Sequence, residues 1–129
     1  MLFRSLVETT VLVDCLRGDD RAAEYLDAVR SRGRLLCSAV TVAELIVGTR
    51  DRRELRMVRQ LITRLEVEPI TATDSACALK WLSKSYHSRG VGFHDCLIAA
   101  SAVRLHVPVA TLNEKHFRSI PTVKVVRPY

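Results

Sequence analysis

Glu8, Glu44, Asp95 and Asn113 are the residues of this chain that chemistry on an anion would use. Glu8 closes the apolar stretch Leu6-Val7-Glu8, and Asn113 follows Val109-Ala110-Thr111-Leu112. Glu44 and Asp95 each fall in the first turn of an expected helix. In an open parallel sheet, positions just past the strands share the carboxyl edge, where ligands bind. Carboxylates gathered there repel and raise one another's pKa unless a cation offsets them. Their hard oxygens suit Mg²⁺, with Mn²⁺ as the alternative. Such an ion lowers the pKa of a water and holds a phosphodiester for in-line attack; two ions about 4 Å apart would stabilise both entering and leaving oxygens. The expected ligand set is Glu8, Glu44 and Asp95, with Asn113 assisting. Thr10, Ser38, Thr41 and Thr111 supply hydroxyls to support it.

The same residues have ordinary structural roles. Thr41-Val42-Ala43-Glu44 matches a capping box, with Glu44 three residues after the cap. Asp95 is also a favourable acid for a helix N-terminus, and Asn113 suits a turn. Asp14 lies inside a helix and reads as a supporting residue. His94 and His116 read as turn or packing residues.

The elements that would position these groups follow from periodicity and punctuation. Leu6–Glu8 ends a first strand and Thr10–Leu16 forms a short helix stopped by Gly18. Asp19 or Asp20 caps a second helix, Arg21–Ser31, ended by Gly33. Arg34–Ser38 is a short apolar strand, buried on both faces as in a parallel sheet. Thr41 is expected to cap a helix through Val47, ended by Gly48, and Asp51–Leu65 is a long helix. Its apolar face carries Leu55, Val58, Leu61, Ile62 and Leu65; its basic face carries Arg52, Arg53, Arg56, Arg59 and Arg64. Val67–Ile70 is a strand that Pro69 confines to an edge. Thr73 or Asp74 caps a helix running to Tyr86, and Ser88–Phe93 is a loop with two glycines. His94 and Asp95 open a tightly packing helix that ends near His106. Val109–Leu112 is a buried strand, Asn113 starts a helical turn through Phe117, and Thr122–Val126 is the last strand. Strand and helix alternate, which argues for an α/β fold on a mainly parallel sheet.

At 129 residues, with 48% hydrophobic and 26% charged residues, the chain fits one globular domain over residues 1–129. No apolar run is long enough for a bilayer, and no signal peptide is visible. The expected location is the cytoplasm, with no membrane partner. The four cysteines, Cys15, Cys37, Cys77 and Cys96, form no C-x-x-C pair and read as reduced, buried residues. A net charge of +6 favours an anionic partner, with nucleic acid the leading class. Arg52, Arg56 and Arg89 are candidates to contact RNA or an acidic partner segment.

Four segments, in the right order and in a chain of the right length, resemble the PIN-domain ribonucleases, and in particular the VapC toxins of toxin–antitoxin pairs. They are Glu8-Thr9-Thr10-Val11-Leu12-Val13-Asp14, Ser38-Ala39-Val40-Thr41-Val42-Ala43-Glu44-Leu45 with Gly48, Asp95-Cys96-Leu97-Ile98-Ala99-Ala100, and Thr111-Leu112-Asn113-Glu114-Lys115-His116-Phe117. The resemblance implies a PIN-like α/β/α sandwich with a mainly parallel sheet and Mg²⁺- or Mn²⁺-dependent endoribonuclease activity. It also implies a homodimer inhibited by a cognate antitoxin, with the helical pair Thr41–Leu65 forming part of the antitoxin groove. The family's acidic residues carry over to Glu8, Glu44 and Asp95, and its fourth, often acidic, position to Asn113. The family has Asp where this chain has Glu8, one methylene longer, and Asn113 removes a charge.

Two further readings stay open on the residues. One is a non-catalytic or inactivated module of the same fold, binding RNA or an antitoxin, with its metal site weakened by Glu8. The other is an aspartyl-phosphate domain, which needs a nucleophilic Asp at the first strand end; Glu8 and the absence of a D-x-D pair count against it.

Overall fold

A computed structural model describes residues 3–129, apart from the side chains of Phe3 and Arg89. The first strand, β1 (Phe3–Val7), runs directly into Glu8 and then helix α1 (Thr9–Leu16). Gly18, at φ +86°, turns the chain in a conformation that glycine adopts without strain. Helix α2 (Asp20–Arg32) follows, with the Asp19 carboxylate accepting from the Arg21 amide as its cap. Strand β2 (Gly33–Ser38) leads without a loop into α3 (Ala39–Val47), and α4 (Arg52–Ile62) is capped by Asp51. Strand β3 (Glu66–Glu68) is short and precedes the paired helices α5 (Ala72–Arg89) and α6 (Phe93–Leu105). Strand β4 (Val109–Ala110), helix α7 (Glu114–Arg118) and strand β5 (Val125–Val126) complete the order.

The strands form one sheet in the order β3-β2-β1-β4-β5, and every pairing is parallel. The sheet is therefore wholly parallel among the described residues, and β3 is an edge strand as Pro69 implies. Strand order reverses between β1 and β4, so the crevice at their carboxyl ends is the switch point where open α/β sheets take ligands.

Strand alternation divides the core in two. Leu6, Leu36 and Val109 point to the layer of α5, α6 and α7, where Ala78, Trp81, Ile98, Ala99 and Phe117 pack. Val7, Leu35 and Cys37 point to the opposite layer, where Val11, Leu12, Leu26, Val29, Val58 and Leu61 of α1, α2 and α4 pack. This is an α/β/α sandwich. All four cysteines are free. Burial pushes the Cys37 thiol up to about 12, and burial, then the nearby Asp95 charge, pushes Cys96 to about 11, so both stay protonated at neutral pH. Among the described residues no helix is long and apolar enough to cross a membrane.

Several boundaries differ from the sequence reading for local reasons. Ser38, not Thr41, caps α3, accepting from the Val40 amide at 3.0 Å, because the helix begins at the strand's last residue. The capping box expected at Thr41 and Glu44 is therefore not formed; Thr41 is helical and buried. The capping box occurs instead at Thr71 and Asp74, so the cap of α5 lies two or three residues before the expected Thr73 or Asp74. Helix α5 runs on to Arg89 and shortens the following loop. The last two strands are shorter than the apolar runs that contain them.

Candidate active site

Parallel register brings Glu8 level with its partners. Val7 pairs with Ala110, so Glu8 and Thr111 stand side by side one residue later. The Glu8 amide donates to the Ala110 carbonyl at 2.9 Å, which holds this alignment past the end of the strand. Glu8 is only 6% exposed. Its Oε1 accepts two hydroxyl hydrogen bonds, from Thr10 and from Thr111, each 2.6 Å long. Both hydroxyls are oriented in turn: the Leu112 amide donates to Thr10 Oγ1 at 3.1 Å and the Asn113 amide to Thr111 Oγ1 at 2.9 Å. A hydroxyl has one proton to give, and an amide donor at its oxygen directs that proton to the carboxylate.

Glu44 lies beside this pair through Thr9. The Thr9 hydroxyl donates to Glu44 Oε1 at 2.7 Å and stands 3.4 Å from the Thr41 hydroxyl. Thr9 and Thr10 are adjacent in the first turn of α1, so one turn of helix serves both glutamates. Glu44 sits in the second turn of α3, not the first, because Ser38 starts the helix earlier. The helix dipole acts chiefly within the first turn and gives Glu44 little. His94 Nδ1 approaches Glu44 Oε2 at 3.9 Å, an ionic rather than a hydrogen-bonding distance.

Asp95 does occupy the first turn of α6. Its Oδ2 lies 2.7 Å from His116 Nε2 on α7. With Asp95 ionised, a carboxylate that only accepts, Nε2 is the donor of this bond. Helix α7 begins just beyond β4, and this contact places Asp95 at the same carboxyl edge as Glu8.

The other expected residues divide. Thr10 and Thr111 both hydrogen-bond Glu8. Ser38 spends its hydroxyl oxygen on capping α3, and among the described residues the Thr41 hydroxyl meets the Thr9 hydroxyl alone. Asn113 is exposed at the start of α7, where its backbone, not its side chain, joins the hydrogen-bond network. Asp14 accepts from the Tyr129 hydroxyl at 2.8 Å and ties the C-terminal residues to α1, away from the three acids. Arg52 and Arg56 lie on the exposed face of α4, whereas Arg50 and Arg53 line its groove. The Arg89 side chain lies outside the described residues. Two residues escaped the sequence reading. Thr9 was hidden behind its neighbour Thr10, and His116 read as a packing residue because its partner is 21 positions away.

Among the described residues, no three His, Cys, Asp or Glu side chains are placed to hold one metal ion together. Glu8, Glu44 and Asp95 thus share an edge without forming the three-carboxylate cage expected from sequence. Their oxygens still suit Mg²⁺, which keeps several waters and needs only one or two protein carboxylates beside a substrate phosphate.

Beside the acids run two hollows. A groove of about 730 Å³ between α1, α3 and α4 is lined by Val13, Leu16, Met57 and Val58, with Arg17, Arg50, Arg53, Glu44 and Glu54 among its polar residues. A second, of about 510 Å³, is lined by Asn113, Lys115, His116, Arg118 and Ser119.

An all-parallel α/β/α sandwich with Glu8, Glu44 and Asp95 at the carboxyl edge by the β1/β4 switch point defines the structural class. The chain belongs to the PIN-domain family, whose profile matches residues 5–122. Ribonuclease VapC10 of Mycobacterium tuberculosis is 36% identical to it over 120 residues, covering 92% of this chain and 90% of that protein. Ribonuclease VapC19 of the same organism is 31% identical over 122 residues, covering 92% and 96%. The fold is similar to that in the DNA-bound VapBC structure from Salmonella typhimurium, with a TM-score of 0.83, 24% identity and full coverage of both chains. It is also similar to VapBC2 from Rickettsia felis bound to a promoter DNA fragment, with a TM-score of 0.84, 20% identity and 95% and 97% coverage.

Proposed function

We propose that this chain is an endoribonuclease and the toxin of a toxin–antitoxin pair. The observation that carries the reading is the Glu8 carboxylate fixed between Thr10 and Thr111 at the switch point, with Glu44 and Asp95 on the same edge. The relatives named as ribonucleases span nearly the whole chain and support it.

The chain's own groups do the positioning. Thr10 and Thr111 hold the Glu8 carboxylate in place, Thr9 holds Glu44, and His116 holds Asp95. A divalent cation, Mg²⁺ or Mn²⁺, held by Glu8, Glu44 or Asp95 would supply an acidified water and charge for the phosphoryl oxygens. Asn113, exposed at the start of α7, assists these acids in this reading by presenting an oxygen that can orient water. Arg52, Arg56 and Arg89 belong in this reading to the surface that meets RNA or the antitoxin. The groove between α1, α3 and α4 has an apolar floor and a mixed-charge rim, which suits an amphipathic antitoxin segment. Self-association into a homodimer is part of the same reading.

The test is cleavage of total cellular RNA by purified protein with Mg²⁺, with Mn²⁺ and with EDTA. Discrete cuts that need the metal are expected, and Asp95→Ala should remove them while leaving the circular-dichroism spectrum and melting temperature near those of the parent. Cleavage that persists in Asp95→Ala rejects this site.

One observation favours a second reading, a binding module without cleavage: the three acids do not form a single metal-holding group. Glu8→Asp separates the two. If only the Asp form cuts, Glu8 has disabled a nuclease; if neither form cuts, the binding module stands.

A further inference from the structure

We infer that His116 is a positioning residue that sets the direction of the Asp95 carboxylate at the candidate site. Asp95 is held at its backbone by a rigid helix: Cys96 through Ala102 are all buried. Its side chain is not held by that helix. Gly92 precedes α6 and has no side chain with which to cap it. Among the described residues, the hydrogen bond that fixes the carboxylate comes from His116 alone. Asp95 and His116 are 26% and 28% exposed, so the pair stands at the crevice wall with the second Asp95 oxygen left for a ligand.

His116 can do this because its own element is anchored. Phe117, the next residue, is 1% exposed in the core, and Ile120 is buried one turn on. The Ser119 hydroxyl donates to the His116 carbonyl at 2.6 Å. The same segment reaches Glu8: the Asn113 amide at the head of α7 orients the Thr111 hydroxyl that donates to Glu8. Residues 111–116 thus hold two acids that are 87 positions apart in the chain, Glu8 through Thr111 and Asp95 through His116. One short segment thus contacts both carboxylates.

The catalytic consequence rests on the ribonuclease reading, whereas the orientation of Asp95 does not, and the test keeps them apart. His116→Gln places an amide N–H at about the reach of imidazole Nε2; His116→Asn is too short, and His116→Ala has no donor. Partners of this kind, removed, cost typically about 10- to 100-fold in activity. We expect kcat to fall by that factor in the Ala and Asn forms, KM for RNA to stay within about twofold, and Gln to restore most of kcat. In crystal structures the Asp95 carboxylate should turn away in the Ala and Asn forms and keep its place in the Gln form. Equal loss of kcat in all three variants, or an Asp95 carboxylate that stays in place without His116, overturns the proposal. If the parent protein cuts no RNA, the ribonuclease reading fails, and the crystal structures alone then decide the role of His116.

Discussion

Glu8 is 6% exposed, and the Thr10 and Thr111 hydroxyls hydrogen-bond its carboxylate. Hydrogen bonds to a charged group are worth roughly twice a neutral pair, and losing one where the acceptor stays buried costs the desolvation of that acceptor. Thr111→Val keeps the shape and removes the hydroxyl. It strips one donor from Glu8 and the acceptor from the Asn113 amide. The expected loss is about 1–3 kcal/mol, read as a lower urea midpoint with an unchanged slope. Spacing made Glu8, Thr10 and Thr111 legible as a group, since each follows a strand end. It did not make Thr9 legible, because two adjacent hydroxyls at a helix start look interchangeable until the fold turns one to each glutamate.

At the scale of elements, the site is held up by a junction on the far side of α6. Asp74 at the start of α5 is 1% exposed and accepts from the Ser101 hydroxyl and twice from the Arg104 guanidinium. Arg104 also pairs with Glu68 of β3 at 3.0 Å, so one side chain ties α5, α6 and the edge strand. Burial alone would raise the Asp74 pKa; the bonds from Arg104, the Thr71 amide and Ser101 outweigh it and hold the carboxyl below its ordinary value. A depressed folded-state pKa contributes stability that is complete above the unfolded value, near 3.8, and is lost as pH falls through the lower folded value. Asp74→Asn should therefore destabilise the protein at pH 7 and flatten its stability profile below about pH 4, measured by urea denaturation from pH 7 to pH 2.5. The α5 cap was not legible from sequence, because Thr71, Thr73 and Asp74 are all good caps and only the Thr71–Asp74 reciprocity decides. The cap of α3 was misplaced for a related reason. Ser38 also belonged to the strand, and one residue can end a strand and cap a helix.

For the whole molecule, the alternation of strands and helices is plain in the sequence, and an α/β fold on a mainly parallel sheet follows from it, while the α/β/α layering comes from the family resemblance. The strand order is not, since it depends on β4 returning to the far side of β1 after two helices. That return creates the switch point and sets Thr111 against Glu8 across 103 positions. The net charge of +6 acts at this scale too. Contacts between cations and RNA phosphates release counterions, and each steepens the fall of log K with log salt by about 0.7 for a single strand. Replacing Arg52 and Arg56 together by Ala should reduce that slope by about 1.4 in titrations of fluorescent RNA across salt concentrations. An unchanged slope would remove the exposed face of α4 from the RNA-binding surface.

The 103-residue separation between Glu8 and Thr111 also orders events during translation. Glu8 leaves the ribosome early, in a nascent chain that lacks both Thr111 and the segment that orients Asp95. At about 5–20 residues per second, roughly 5–20 s pass before those groups are made. A partly synthesised chain, still beside the RNA of the ribosome that is making it, therefore cannot assemble this site.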